Sequence, residues 1–109
     1  MEITTIKFPL IVNPHSGKKQ SRQILELLKP VFDLHGAELT ILETTEPGNA
    51  RDLVKHLDLA VYDGIIVLGG DGTFHEVVNG LLKRPDGVTL PLGLIPGGSG
   101  NHFSMIFIL

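Results

Sequence analysis

Apolar residues along this chain fall into two alternating kinds of run, short unbroken blocks and longer stretches with helical spacing. "IKFPLIV" (Ile6 to Val12) is the first block and predicts a strand, with Pro9 hinting at an edge position or a bulge. From about Ser21, the residues Ile24, Leu27, Leu28, Val31 and Leu34 recur at near-helical spacing and predict a helix with these positions on its apolar face. Gly36 suits the end of that helix, and Pro30 inside it predicts a kink. "AELTILE" (Ala37 to Glu43) predicts a second strand. In "EPGNARDLVKHLDLAV", Asn49 is the expected N-cap of a second helix, and Ala50, Leu53, Val54 and Leu57 form its buried stripe. "GIIVLGG" is apolar without interruption, as expected of a strand covered on both faces. Thr73 and Glu76 form a Thr-x-x-Glu capping box, behind which Phe74, Val77, Val78, Leu81 and Leu82 mark a third helix. "RPDG" (Arg84 to Gly87) reads as a turn and "LPLGLIP" as a fourth strand.

Strands alternating with helices imply right-handed crossovers, and so an α/β fold: a three-layer parallel sheet with helices on both faces. The chain has 109 residues, of which 42% are hydrophobic, enough for a single core. In such sheets ligands bind beyond the carboxyl ends of the strands, which says where chemistry is to be sought.

Composition removes several alternatives. The formal net charge is -3, so no overall positive field draws nucleic acid to the chain. Cysteine is absent, which excludes disulfides, a thiol nucleophile and thiolate metal ligation. The histidines at 15, 35, 56, 75 and 102 share no metal-ligand spacing. Met1 to Thr5 lacks the basic start and apolar stretch of a signal peptide, and the apolar run Met105 to Leu109 is far too short to span a bilayer. The expectation is a cytoplasmic protein, with peripheral membrane contact left open through a lipid substrate or partner. Nothing bears on its oligomeric state.

All four expected strand ends lead into related loops: "NPHSGKK" (Asn13 to Lys19), "TTEPGNA" (Thr44 to Ala50), "GGDGT" (Gly69 to Thr73) and "PGGSGN" (Pro96 to Asn101). Glycine permits positive φ and close approach of a ligand to the backbone, and helix N-termini behind such loops offer unpaired N–H groups suited to phosphate. Taken singly, each loop is an ordinary turn. Lys18 and Lys19 alone would be solvated surface, Thr44 and Thr45 helix-entry residues, and Ser99 a nucleophile without a base nearby. Capping accounts for Glu76 and an exposed helix position for His75. There is no Walker loop and no Gly-x-Gly-x-x-Gly fingerprint. Four such loops converging on one sheet edge shift the balance towards a nucleotide cradle. Asp71 is the hardest residue to explain as a turn, because glycines on both sides cost backbone entropy that a simple strand-to-helix turn does not require. It suits water-mediated binding of Mg²⁺, or acceptance of a proton from a hydroxyl attacking a γ-phosphate.

Together, "NPHSGK", "GGDGTFHEVVNGLLKRPD" and "IPGGSGN" resemble the diacylglycerol kinase catalytic-domain superfamily, and "HEVVNGLLKRPD" followed by "PGGSGN" is most similar to its sphingosine (long-chain base) kinases. The central glycine-aspartate motif is shared with NAD kinases and 6-phosphofructokinases, so the implied fold is their nucleotide-binding domain. The resemblance implies transfer of phosphate from ATP, with Mg²⁺, to a lipid hydroxyl of a sphingoid base or diacylglycerol. It implies that Asn13, Pro14, His15, Ser16 and Gly17 form the first nucleotide loop and that Thr44 heads the second. Gly69, Gly70, Gly72 and Thr73 surround Asp71, the implied general base; Glu76 matches a nucleotide-site position, and Gly98, Ser99 and Gly100 the last phosphate loop. Residues 1–109 would then be an amino-terminal nucleotide-binding domain, inactive by itself, that stops where the next helix would begin, with the second, β-rich domain of the family absent. Two alternatives stand beside this: an NAD kinase-like enzyme, and a catalytically silent nucleotide-binding module.

Overall fold

In the computed structural model, residues 5–14, 20–96 and 106–108 are described. The elements follow in the order β1 (Ile6–Val12), α1 (Gln20–Leu34), β2 (Ala37–Glu43), α2 (Asn49–His56), a 3₁₀ turn (Leu59–Val61), β3 (Ile65–Gly69), α3 (Asp71–Leu82), β4 (Leu92–Pro96) and β5 (Ile106–Ile108). One sheet runs β2-β1-β3-β4-β5, with the first four strands parallel. β5 was not expected from the sequence. It lies antiparallel to β4, pairing Ile108 with Leu92 and Ile106 with Leu94, where a further helix was anticipated.

The period-2 geometry of the strands divides their side chains between two cores. Ile11, Ile65, Val67 and Leu92 face one side and meet Ala50, Val54 and Val77 of α2 and α3. Leu10, Val12, Ile66, Leu68 and Ile95 face the other and meet Leu28 of α1. Every residue of β3 is buried, as its unbroken apolarity predicts. Helices thus cover both faces of the sheet, in the three-layer arrangement expected.

The helices sit differently from their expected stripes in two places. On α1, Leu27, Val31 and Leu34 are exposed, at 60%, 52% and 82%. Ser21 and Leu28 are the buried positions instead, with Ile24, Leu25 and Phe32 half-buried beside them. Both sets repeat at helical spacing. The edge-on contact of Phe32 with Phe8, with ring centroids 6.2 Å apart, belongs to the set that faces the sheet. On α3, Leu82 is 77% exposed rather than part of the stripe. α1 continues through Pro30, where only the bond to the carbonyl of Glu26 is lost, and both residues are exposed. It ends at Gly36, whose φ of 72° is the left-handed conformation that stops a helix.

Candidate functional site at the carboxyl ends of the strands

Three of the four expected loops meet beyond the carboxyl ends of β1, β2 and β3. They enclose a cleft of about 450 Å³ lined by Asn13, Thr44, Thr45, Glu46, Pro47, Gly72, Thr73 and Glu76. Backbone and side-chain bonds join its walls. The Thr44 N–H donates to the Val12 carbonyl at 2.8 Å, extending the β1–β2 pairing into the second loop and burying Thr44. The Asn13 N–H donates to the Leu68 carbonyl at 3.4 Å, and its side-chain amide reaches Thr73 Oγ1 at 3.5 Å. Asn13 therefore bridges the end of β1 to the first turn of α3.

The second loop closes differently from the sequence expectation. Asn49 is not the N-cap of α2; Gly48 is, with φ 86°. The Asn49 side chain turns back and accepts from the Thr45 N–H at 2.9 Å and from the Thr45 hydroxyl at 3.4 Å, locking the loop upon itself. The cap of α2 comes from another helix. Glu76 Oε1 accepts from the Gly48 N–H at 3.1 Å and from the Ala50 N–H at 3.2 Å. The unpaired donors expected at this helix start are thus partly occupied by the protein's own carboxylate.

α3 also starts three residues earlier than the capping box required. Its N-cap is Gly70 and its first residue Asp71, so Thr73 lies inside the first turn and the Thr73–Glu76 box does not form. Gly70 offers no side chain to cap the helix, and among the described residues no side chain accepts from the N–H groups of this first turn. Asp71 is exposed at this start, where a carboxylate is favoured by the helix dipole. Gly69, Gly70 and Gly72 do not have positive φ, so backbone strain is not why they are glycine. At Gly72 a Cβ would meet nothing within 4 Å, on the wall of the cleft, so the packing of the protein does not itself require a glycine there.

Of the expected site residues, Asn13, Thr44, Gly72, Thr73 and Glu76 line the cleft. Gly69 ends β3, and Gly70 and Asp71 open α3 directly after it. Pro14 instead lines a second hollow of about 570 Å³ with Val12, Ser21, Arg22 and Glu43. His15, Ser16, Gly17, Gly98, Ser99 and Gly100 lie outside the described residues. Among the described residues no group of three His, Asp or Glu side chains could hold a metal ion, and no helix is long and apolar enough to cross a membrane.

Sequence reasoning missed Arg84 and Gly80. Arg84 Nη1 donates to the carbonyls of Val54 at 2.8 Å and Leu57 at 2.7 Å, capping the C-terminal end of α2. Its Nε and Nη2 grip both oxygens of Asp86, at 3.0 and 2.7 Å, and these bonds hold the Asp86 carboxyl below its ordinary 3.8. At Gly80 a Cβ would lie 2.5 Å from the Arg51 carbonyl oxygen, so α2 and α3 meet at a distance only glycine allows. An isolated glycine inside a helical pattern was the available signal.

Comparison with known proteins agrees with this architecture. The chain is 43% identical over 102 residues to sphingoid long chain base kinase 4 of Schizosaccharomyces pombe, a match covering 90% of this chain and 22% of that protein. It is 41% identical over 96 residues to human sphingosine kinase 2, covering 84% of this chain and 15% of that protein. A crystal structure of a diacylglycerol kinase from Bacillus anthracis superposes with a TM-score of 0.72 at 35% identity, over 92% of this chain and 36% of the other. The chain therefore spans well under half the length of these relatives. Residues 7–108 match the profile of the Diacylglycerol kinase catalytic domain, and the chain belongs to that family.

Proposed function

We propose that this chain is the nucleotide-binding part of a lipid kinase that transfers the γ-phosphate of ATP to the hydroxyl of a sphingoid base or diacylglycerol. The observation that carries the proposal is the convergence of three loops, through Asn13, Thr44 and Thr45, and Gly72 and Thr73, on one cleft beside the glycine-capped start of α3. The family and the names of the relatives supply the substrate class: sphingoid bases in the curated proteins, diacylglycerol in the solved structure.

In this proposal the N–H groups at the start of α3 bind phosphate oxygens, and Gly72 leaves the room for them to approach. Asp71 takes the proton from the lipid hydroxyl as its oxygen attacks phosphorus and the bond to the β-phosphate oxygen breaks. Glu46 and Glu76 line the cleft, and no basic side chain of the described residues does. A triphosphate would thus need its charge neutralised largely from elsewhere. That fits Mg²⁺ carried in on the phosphates, because Mg²⁺ retains water and needs few protein ligands. When bound, Mg²⁺ supplies charge neutralisation of the transferring phosphate. Membrane contact would be peripheral, through the lipid.

The test is a chimera in which residues 7–108 replace the matching segment of human sphingosine kinase 2, assayed with labelled ATP and with sphingosine or diacylglycerol. Transfer to at least one lipid is expected. Asp71→Asn should lower kcat about 10²–10⁴-fold while changing ATP affinity far less, because the substitution is nearly isosteric. Turnover within a few-fold of the unsubstituted chimera would show that Asp71 is not the base.

A further inference from the structure

Glu76, Gly80 and Arg84 recur every fourth residue along α3 and the turn after it, and all three meet α2. Gly80 brings the helices together, Arg84 holds the carbonyl end, and Glu76 holds the start, where the second wall of the cleft enters the helix. We infer that Glu76 is a positioning residue: its carboxylate fills the N-terminus of α2, fixes the wall formed by residues 44–48, and leaves the start of α3 as the place for an anion. The last clause rests on the nucleotide reading; the first two do not.

Two helix starts border this cleft, and both would attract phosphate through their free N–H groups and dipole. At α2 the Gly48 and Ala50 N–H groups already donate to Glu76, and Glu46 lies on the same wall. An anion entering there would have to displace one carboxylate and sit near another. At α3 the cap residue is Gly70, and among the described residues no side chain takes the donors. An anion at α3 also sits near a carboxylate, that of Asp71, so the asymmetry lies in the donors: those of α2 are taken by Glu76, and those of α3 by no described side chain.

The geometry also separates reach from charge. Both bonds from α2 end on the same oxygen, Oε1. A glutamine carbonyl at residue 76 can therefore replace them without any charge, whereas an aspartate keeps the charge and falls one carbon short.

The experiment measures amide exchange at Gly48 and Ala50 in the 109-residue chain and ATP·Mg²⁺ affinity in the chimera with human sphingosine kinase 2, each as the parent and with Glu76→Gln or Glu76→Asp. Glu76→Asp should speed exchange at both amides roughly 2- to 30-fold, the span that loss of a helix cap covers, and weaken ATP by a similar factor. Glu76→Gln should keep exchange at both amides within about threefold of the parent, since a neutral carbonyl still accepts both bonds. Unchanged exchange in Glu76→Asp overturns the inference, whether or not ATP binds. So does a Glu76→Gln protein that loses ATP while its Gly48 and Ala50 amides stay protected, because Glu76 would then act by its charge on the ligand. A chimera that binds no ATP, beside amides that respond as described, upholds the capping and overturns the nucleotide reading instead.

Discussion

Gly72 and Gly80 are two glycines of one helix that are small for opposite reasons. A Cβ at Gly80 would lie 2.5 Å from the Arg51 carbonyl and 3.1 Å from Val54 Cβ, neither of which can move without shifting α2. Alanine there gains about 0.5–1 kcal/mol of helix propensity but meets an overpacking cost of about 1–3 kcal/mol. Gly80→Ala should therefore lower the urea midpoint and speed exchange in α2. A Cβ at Gly72 would meet nothing within 4 Å, and its φ is not positive. Gly72→Ala should raise stability, by at most about 1 kcal/mol, while filling the space in which a phosphate is proposed to approach. Folding and ligand affinity would then move in opposite directions at one position, and urea titration beside ATP titration checks both. A Gly72→Ala protein that is less stable and binds ATP as before would contradict the account. The sequence pointed to Gly72 through its motif for two reasons, of which positive φ does not apply and room for a close approach to the backbone is compatible with the open space around it.

At the scale of elements, α2 is the part of the fold that other elements hold in place. It has eight residues, well below the roughly 12–15 at which even favourable helices become stable alone. Its start is held by Glu76, 28 residues from Gly48 in sequence, and its end by Arg84, 30 residues from Val54. A negative group at the start and a positive one at the end both complement the helix dipole. Such separations explain why sequence reading assigned Glu76 to its own helix and Arg84 to a turn: local patterns do not carry the identity of a distant partner. The turn itself was legible, since Gly87 takes a φ of 67° and its N–H donates to the Arg84 carbonyl. The end clamp carries a pH dependence. Hydrogen bonds from Arg84, first of the causes, hold the Asp86 carboxyl below its ordinary 3.8. A lowered value in the folded protein contributes stability that is present above that ordinary value and is lost as pH falls through the folded one. The stability difference between the parent and Asp86→Asn should accordingly be present at neutral pH and shrink below about pH 3.8, as read by urea unfolding across pH. A difference that grows with acid would mean that Asp86 does not hold Arg84.

For the molecule as a whole, the alternation of apolar blocks and helical stripes was enough to give the layers. β1 and β2 begin and end where their blocks do, because an apolar run bounded by polar turns is a local signal. Strand order and β5 were not legible. Order depends on which crossovers pass which strands, and three residues are too few to show any period. The two cores that result are separated by the sheet itself: Val77 belongs to the one beneath α2 and α3, and Leu28 to the one beneath α1. Leu28→Ala should cost about 2–5 kcal/mol and Val77→Ala about 2 kcal/mol, from lost transfer energy and an incompletely relaxed cavity. The two vacancies share no partner, because a layer of backbone lies between them, so neither can relax into the other. Their costs in the double variant should add to within about 0.5 kcal/mol. Val54 and Val77 lie in one core, on the two helices that pack together at Gly80. The Val54→Ala, Val77→Ala pair should depart from additivity by about 0.5 kcal/mol or more, since the second truncation enlarges a cavity that the first has already opened. Urea unfolding of the six proteins, parent included, measures both cycles. Coupling between Leu28 and Val77 as large as that between Val54 and Val77 would mean that the sheet transmits repacking from face to face, and that the three layers behave as one core.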